Sequence, residues 1–191
     1  MHTKEAQDMI DLFRKEWTAE RPELDFGYLE TIGRILRVSA HLREHMDDWL
    51  APFGLTWEMF DLVASLRRSS GQTGMRPTDL YAACMLSSGA TTNRIDRAET
   101  LGYANRKPDP DDGRATRIAL TRRGRALAEK AMNEHAARAG EIAGRLTAQE
   151  QAQLSSLLRK LLVSFEAEAA EAPRKETARK AAPRGRRAAT G

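Results

Sequence analysis

Residues 76–125 constrain the fold of this chain more than any other stretch of its sequence. Pro77 suits the first position of a short helix, because the N–H that proline lacks has no partner there. Ser87 or Ser88 can cap a second helix with its hydroxyl group, and that helix is expected to end near Gly102. These signals predict two consecutive helices separated by a short turn.

A β-hairpin is predicted directly after the second helix. Residues 103–107 and 114–120 are short runs that can pair antiparallel across the turn at residues 108–113, which is rich in Pro, Asp and Gly. A helix-turn-helix followed by a hairpin is the layout of a winged helix, in which the second helix enters the major groove of DNA and the hairpin reaches an adjacent groove. We therefore expect a mostly α-helical fold with a small β-hairpin wing.

The second helix has an apolar face and a polar face. At about 100° per residue, Thr91, Ile95, Ala98 and Leu101 share the inward side. The opposite side carries short polar residues that allow close approach to base edges and phosphates, namely Gly89, Thr92, Asn93 and Asp96. An ordinary amphipathic surface helix would show the same periodicity.

The hairpin and its flanks resemble a known family. Asp112-Gly113-Arg114, followed by Ile118-Ala119-Leu120-Thr121 and Gly124, is similar to the wing signature of the MarR family of transcription regulators. The resemblance extends over roughly residues 30–165 and includes Gly54-Leu55-Thr56, Pro77-Thr78-Asp79-Leu80 and Thr92-Asn93-Arg94-Ile95-Asp96-Arg97.

This resemblance implies a winged helix-turn-helix homodimer that binds double-stranded DNA, with Asp112 and Arg114 bracing the wing. One position departs from the family pattern, since the residue between them, often Arg, is Gly113 here. Arg114 or Arg117 then becomes the expected minor-groove contact. The full set of expected DNA contacts is Ser87, Ser88, Gly89, Thr92, Asn93, Arg97, Arg114 and Arg117.

The N-terminal region narrows the resemblance. Trp17, residues 21–25, residues 32–34 and residues 37–39 are similar to the PecS-like, urate-responsive branch, whose members carry an extra first helix. In that branch one Trp, one Asp and two Arg form a site for a small anionic purine such as urate or xanthine. The resemblance implies that this ligand site consists of Trp17, Asp61, Arg94 and Arg106.

The residues themselves leave other interpretations of these four positions open. Arg94 lies at the edge of the apolar face of its helix, so its charge requires an anion, and Asp61 could be that anion. A solvated stripe on the third helix would also explain Asp61. Trp17 completes an apolar helical stripe that needs burial in any case, and Arg106 could contact a DNA phosphate.

The basic character of the chain is concentrated at its C-terminus. The formal net charge is +4, yet residues 172–191 carry seven Lys or Arg and one Glu, so the remaining chain has a net charge of −2. These residues lack large apolar side chains and are predicted to form a disordered basic tail that either adds phosphate contacts or only aids solubility. Residues 87–125 contain nine Arg or Lys and five acids. This local excess of positive charge favours binding to DNA.

Several other classes of protein are disfavoured. Cys84 is the single cysteine and lies among apolar neighbours, which excludes a Cys-based zinc cluster and favours a buried residue over a thiol sensor. His41 and His45 have a metal-binding spacing without an evident third ligand, so a solvated helix face is favoured. No nucleophile, phosphate-loop or paired-carboxylate motif indicates an enzyme, and we expect no cofactor and no metal. The chain lacks a membrane-spanning run and a signal-peptide pattern, which predicts a cytoplasmic protein.

The predicted organisation has four parts. They are an extra N-terminal helix and linker at residues 1–24, a helical dimerisation region at 25–56 and 121–171, a winged helix region at 57–120 and the basic tail. The dimerisation region ends in an apolar stripe that one small domain cannot easily bury, made of Leu154, Leu157, Leu158, Leu161, Leu162 and Phe165. A homodimer would bury it and would present two recognition helices to a palindromic site.

Three functions are consistent with the sequence. The first is a repressor that urate or another purine releases from its operator. The second is the same fold gated by a phenolic or carboxylate ligand. The third is an architectural, non-specific DNA binder that depends on the basic tail.

Overall fold

The computed structural model describes residues 7–70, 73–84 and 88–181, with the side chains of residues 70, 88–91 and 170–181 excepted. The chain divides into two compact units, with the boundary between Arg138 and Ala139. The helices are α1 (Met9–Glu20), α2 (Ile32–Leu50), α3 (Trp57–Ser70), α4 (Pro77–Ala83), α5 (Ser88–Thr100), α6 (Arg122–Ala143) and α7 (Ala148–Ala181). A two-stranded antiparallel sheet of β1 (Ala104–Pro108) and β2 (Thr116–Leu120) follows α5, which confirms the mostly α fold with a hairpin wing.

Local capping explains where the first helices begin. The Asp8 carboxylate accepts the N–H groups of Ile10 and Asp11, and the side chain of Asp11 accepts the N–H of Asp8, so α1, the extra helix predicted within residues 1–24, starts at Met9. Residues 3–6 lie outside the described residues. Within the predicted helical region at 25–56, α2 begins only at Ile32, because the Asp25 side chain accepts the Gly27 N–H and a 3-10 turn, Gly27–Glu30, comes first.

The last helix is longer than predicted. Thr147 and Glu150 form a reciprocal capping box at its start, since each backbone N–H donates to the other's side chain. The helix then continues to Ala181, so residues 172–181 are helical and the prediction of disorder is wrong there. Ala, Glu, Lys and Arg are strong helix formers and favour the extension, whereas Pro173 within it lacks the N–H that an interior helical position donates. Residues 182–191 lie outside the described part of the chain.

The core of the first unit lies where α3, α4, α5 and β2 pack together. Leu62, Leu66, Leu80, Ile95 and Ile118 are all at most 1% exposed. Their burial places the apolar face of α5 against the core and leaves its opposite face exposed to solvent. The predicted assignment of Ile95 and Ala98 to the inward face is confirmed.

The hairpin is joined to the body by a third short pairing. In the sheet Arg106 lies opposite Ile118, and Met75 bridges Ile118 from the other side through two backbone hydrogen bonds of 2.9 and 2.7 Å. Gly74 has φ of +84°, and a Cβ atom there would lie 2.5 Å from the Ile118 carbonyl oxygen. Only glycine fits this close approach, which fixes β2 against the segment that leads into α4.

The second unit exposes a row of large apolar side chains on α7. Leu157, Leu162 and Phe165 are 63%, 60% and 59% exposed. Among the residues that the structure describes, no helix is both long enough and apolar enough to cross a bilayer.

Candidate nucleic-acid interface

The polar face of α5 is open to solvent in the region that the sequence assigns to DNA. Thr92, Asn93 and Arg97 are exposed, and the Tyr81 hydroxyl lies 3.1 Å from Thr92 Oγ1, linking α4 to α5. This pair of helices therefore holds an exposed polar surface of the kind that reads base edges. Ser87 lies outside the described residues and the side chains of Ser88 and Gly89 are not described, so their contacts stay predictions.

The wing is tied to the body by one buried carboxylate, Asp109. Its Oδ2 accepts a 2.7 Å hydrogen bond from Arg76 Nε, which lies just before α4, and its Oδ1 accepts the Asp111 N–H at 3.0 Å. Arg117 Nε of β2 lies 3.1 Å from the same Oδ2, close enough for an ion pair but not aligned for a hydrogen bond. The Asp111 N–H and the two guanidinium groups lower the pKa of Asp109 to about 2.

This arrangement changes the roles expected for the wing residues. Arg117 is only 23% exposed at its side chain and also contacts Asp111 and the Gly74 carbonyl oxygen, so its guanidinium holds the wing in place. Arg114 is exposed, and the structure shows no ion pair for it within the described residues. Arg114 is consequently the stronger candidate for a DNA contact, while a contact by Arg117 stays a prediction.

The predicted brace between Asp112 and Arg114 takes a different form. The Arg114 main-chain N–H donates to Asp112 Oδ1 at 3.1 Å, so Asp112 closes the turn rather than pairing with the guanidinium. An Asp side chain in a tight turn commonly accepts the N–H two residues on, which competes with a side-chain ion pair. The carboxylate that braces the wing against the body is Asp109.

Arg106 connects the wing strand β1 to helix α5. Its Nη2 lies 2.8 Å from Asp96 Oδ1, its Nη1 contacts Glu99 Oε2, and its main-chain N–H donates to Glu99 Oε1 at 2.9 Å. The Asp96 and Glu99 carboxylates raise the pKa of the Arg106 guanidinium above its ordinary value. We call this set of Asp96, Glu99 and Arg106 the Arg106 clamp.

The tryptophan assigned to the ligand site lies near the end of α1. Trp17 is 51% exposed and stacks on Phe26, with ring centroids 5.7 Å apart. It lines a shallow cleft of about 480 Å³ together with Phe13, Glu16 and Glu20 of the same helix. Among the described lining residues of that cleft, none is Asp61, Arg94 or Arg106, so the structure does not join Trp17 to the other three through this cleft.

Asp61 and Arg94 lie deeper, between α3 and α5. Asp61 is only 5% exposed, and Arg94 Nη1 is buried without a hydrogen-bond partner in the described part of the chain. Burial raises the pKa of the Cys84 thiol, Asp61 raises it further, and Arg94 opposes the shift, so both charges lie within electrostatic range of that sulfur. An ion pair between Asp61 and Arg94 stays a prediction, whereas the predicted burial of Cys84 is confirmed.

Comparison with known proteins gives the family. No family model matches the chain. The transcriptional regulator PecS of Dickeya dadantii (strain 3937) is 31% identical over 154 residues, which cover 81% of this chain and 90% of PecS. The transcriptional repressor Rv2887 of Mycobacterium tuberculosis is 32% identical over 135 residues, covering 71% of this chain and 91% of the repressor. The chain belongs to the MarR family of transcriptional regulators.

Solved structures agree with this assignment. A cysteine-to-serine mutant of Escherichia coli MarR in complex with operator DNA aligns with a TM-score of 0.59 at 27% identity, covering 72% of this chain and 99% of MarR. The Rv2887 complex with salicylic acid aligns with a TM-score of 0.51 at 31% identity, covering 72% of this chain and 96% of Rv2887. This MarR-family protein is a DNA-binding transcriptional regulator and not an enzyme.

Sequence analysis missed three residues that organise the site in this MarR-family regulator. Asp109 is one of three Asp residues in the turn, and nothing in their order shows which one is buried. Asp96 and Glu99 are spaced three apart on α5 and resemble a solvated stripe until β1 brings Arg106 against them. The spacing of Asp96 and Glu99 on the hairpin side of the helix is the only signal that could have indicated the Arg106 clamp.

The described residues offer no cluster of three His, Cys, Asp or Glu side chains suited to a metal ion. His41 lies 3.5 Å from Glu44 and is 54% exposed at its side chain, while the His45 ring lies beside Trp49. Both imidazoles belong to the outer surface of α2.

Proposed function

We propose that this protein is a repressor that binds a palindromic operator as a homodimer and is released by a small anionic ligand, with urate or xanthine as the preferred class. The observation that carries the DNA part is the exposed set Thr92, Asn93 and Arg97 on α5, beside a wing that presents Arg114. Thr and Asn side chains can hydrogen-bond to base edges, and Arg can bond to guanine or to phosphate. The related MarR mutant was solved in complex with operator DNA, which supports DNA binding by this chain.

The homodimer is supported by the apolar row on α7. Monomeric proteins rarely expose a contiguous apolar patch of this kind, and six of its side chains between Leu154 and Phe165 are 38–63% exposed. A symmetric pairing of these helices would bury them and would relate two α5 helices by a two-fold axis. Two half-sites about one helical turn apart would then match the protein's symmetry.

The ligand is proposed to contact Trp17, Asp61, Arg94 and Arg106. A flat anion can stack on an exposed indole and accept paired hydrogen bonds from a guanidinium group. The buried Arg94 Nη1 without a hydrogen-bond partner in the described chain supports an anion near α5. The resemblance to the urate-responsive branch favours a purine, and the salicylic acid complex of Rv2887 favours a phenolic acid as the second candidate.

The test is a mobility shift of the purified protein on the DNA upstream of its own gene, with urate, xanthine and salicylate titrated in. We expect a specific complex that urate or xanthine dissolves, with weaker release for Trp17→Phe and Arg106→Ala. If salicylate alone releases the DNA, the ligand class is a phenolic acid and not a purine. Equal binding to unrelated DNA would instead select a non-specific architectural binder.

A further inference from the structure

The Arg106 clamp joins the two elements that face DNA. Asp96 and Glu99 belong to α5, and Arg106 belongs to β1 of the wing. Glu99 contacts both the side chain and the main-chain N–H of Arg106, so the end of α5 is held to the wing strand by three contacts. Whatever displaces the Arg106 side chain from these acids therefore weakens the connection between the helix and the wing.

The charge balance of the clamp makes it sensitive to anions. One guanidinium cation faces two carboxylates, which leaves the cluster with a formal charge of −1. Both terminal nitrogens of Arg106 are already in contact with a carboxylate, and every bidentate edge of a guanidinium includes at least one of them. An anion that binds Arg106 bidentately must therefore use a nitrogen that already contacts Asp96 or Glu99, and its charge is repelled by both carboxylates.

We propose that Glu99 and Asp96 are positioning residues that transmit occupation of Arg106 by an anion to the recognition helix α5. The inference rests on the proposed function, because it takes Arg106 as a ligand contact. When the anion takes over the Arg106 guanidinium, both carboxylates lose their ion pair, and of the three contacts only the one from the Arg106 main-chain N–H to Glu99 remains between the end of α5 and β1. The wing and the recognition helix then no longer fit one half-site together, and ligand and DNA oppose each other's binding.

The proposal predicts opposite effects of Glu99→Gln on two measured quantities. Glutamine can still accept the Arg106 main-chain N–H, so the fold is kept, but the competing negative charge is gone. Urate should bind the variant more tightly, by about threefold, because less competition remains at Arg106. The factor by which saturating urate weakens DNA binding should fall about fivefold, because breaking the clamp no longer accompanies ligand binding.

The experiment measures the dissociation constant for urate by calorimetry and for operator DNA by fluorescence anisotropy, with and without saturating urate. Asp96→Asn should shift both quantities in the same directions as Glu99→Gln. The matched control is Glu129→Gln, which neutralises the acid of another exposed Arg–Glu pair, Arg67 to Glu129, away from α5 and β1. A variant that merely destabilises the fold would bind both urate and DNA more weakly. Tighter urate binding by Glu99→Gln would therefore indicate a positioning role and not a damaged fold.

Two results would overturn the inference in different ways. If Glu99→Gln and Asp96→Asn match Glu129→Gln in urate affinity and in urate-induced DNA release, the clamp does not transmit the signal and the proposed function is untouched. If urate does not bind the unmodified protein, the proposed purine gating is itself wrong, and this inference falls with it.

Discussion

The carboxylate of Asp109 accepts a 2.7 Å hydrogen bond from Arg76, although 33 positions separate the two residues. Arg76 directly precedes the first helix of the helix-turn-helix, and Asp109 begins the turn of the wing. The pair therefore fixes the distance between the helix-turn-helix and the hairpin. Since the Asp109 side chain is fully buried, water cannot easily replace Arg76 as its partner, whereas the Arg76 side chain itself is 42% exposed.

Asp109→Asn should weaken operator binding without removing any residue that faces DNA. The amide keeps the shape of the side chain but loses the charge that holds Arg76 and Arg117, so the wing becomes free to shift. We expect the dissociation constant for operator DNA to rise about tenfold. Hydroxyl-radical footprinting should show loss of protection at the wing contacts while the major-groove contacts of α5 remain.

Asp111→Asn is the matched control for this change. Asp111 also contacts Arg117, but at 3.5 Å and with 79% of its side chain exposed, so its loss should leave DNA affinity within about twofold. Equal footprints for the two variants would show that Asp109 does not position the wing.

Acid should remove part of the stability of the fold through Asp109. Its pKa is about 2 in the folded protein against an ordinary value of 3.8, so the folded state favours the ionised form. This contribution is complete above about pH 4 and is lost as the pH falls toward 2. Urea unfolding between pH 2 and 5 should therefore show a shallower pH dependence for Asp109→Asn than for the unmodified protein.

A second pH effect is expected from His135 of α6. Its ring packs among Trp49, Trp57 and Phe60, with centroids 4.9–5.8 Å away, and burial lowers its pKa below the ordinary 6.5. Its Nδ1 is buried without a hydrogen-bond partner in the described chain, so protonation there would create an unsatisfied donor.

The contribution of His135 to the free energy of unfolding should consequently be complete above pH 6.5. It should decrease as the pH is lowered below 6.5, because the unfolded chain binds the proton more readily. His135→Phe should keep the ring packing and reduce this decrease. A His135→Phe profile parallel to that of the unmodified protein between pH 5 and 7 would contradict the prediction.

Replacement of two glycines of α6 by alanine should change the free energy of unfolding in opposite directions. A Cβ atom at Gly124 would lie 1.9 Å from the Tyr103 carbonyl oxygen, whereas one at Gly140 meets nothing within 4 Å. Gly124→Ala should lower the free energy of unfolding by about 2–3 kcal/mol, because backbone must move. Gly140→Ala should raise it by about 0.5–1 kcal/mol through its better helix propensity. Chemical denaturation of both variants measures the difference directly.

The apolar row on α7 can be tested by removing two of its most exposed members. If the proposed dimer forms through this row, Leu157→Gln with Leu162→Gln should shift the protein from dimer to monomer in sedimentation velocity, because it places two polar amides within the apolar surface that the partner would cover. Arg159→Gln changes the same helix without altering that row and should remain dimeric. A double variant that sediments as the unmodified protein does would place the dimer contact elsewhere.

The amino-acid pattern alone determined the helix-turn-helix, the wing and the family. Pro77 and the period of α5 are local signals, and the apolar run Ile118-Ala119-Leu120 indicates that the end of β2 is buried. Capping is local as well, so the start of α7 at Thr147 could be predicted, but its end could not, because helix-forming residues continue beyond the apolar stripe.

The partners of the charged residues were decided only by tertiary structure. The hairpin turn brings Asp109 to Arg76 from 33 positions away, and the pairing of β1 with β2 brings Arg106 onto Asp96 and Glu99. Spacing along a chain specifies which side chains share a face, because that depends on local backbone period. Which charge meets which depends on how separate elements pack, and burial of the hydrophobic core sets that packing without regard to charge.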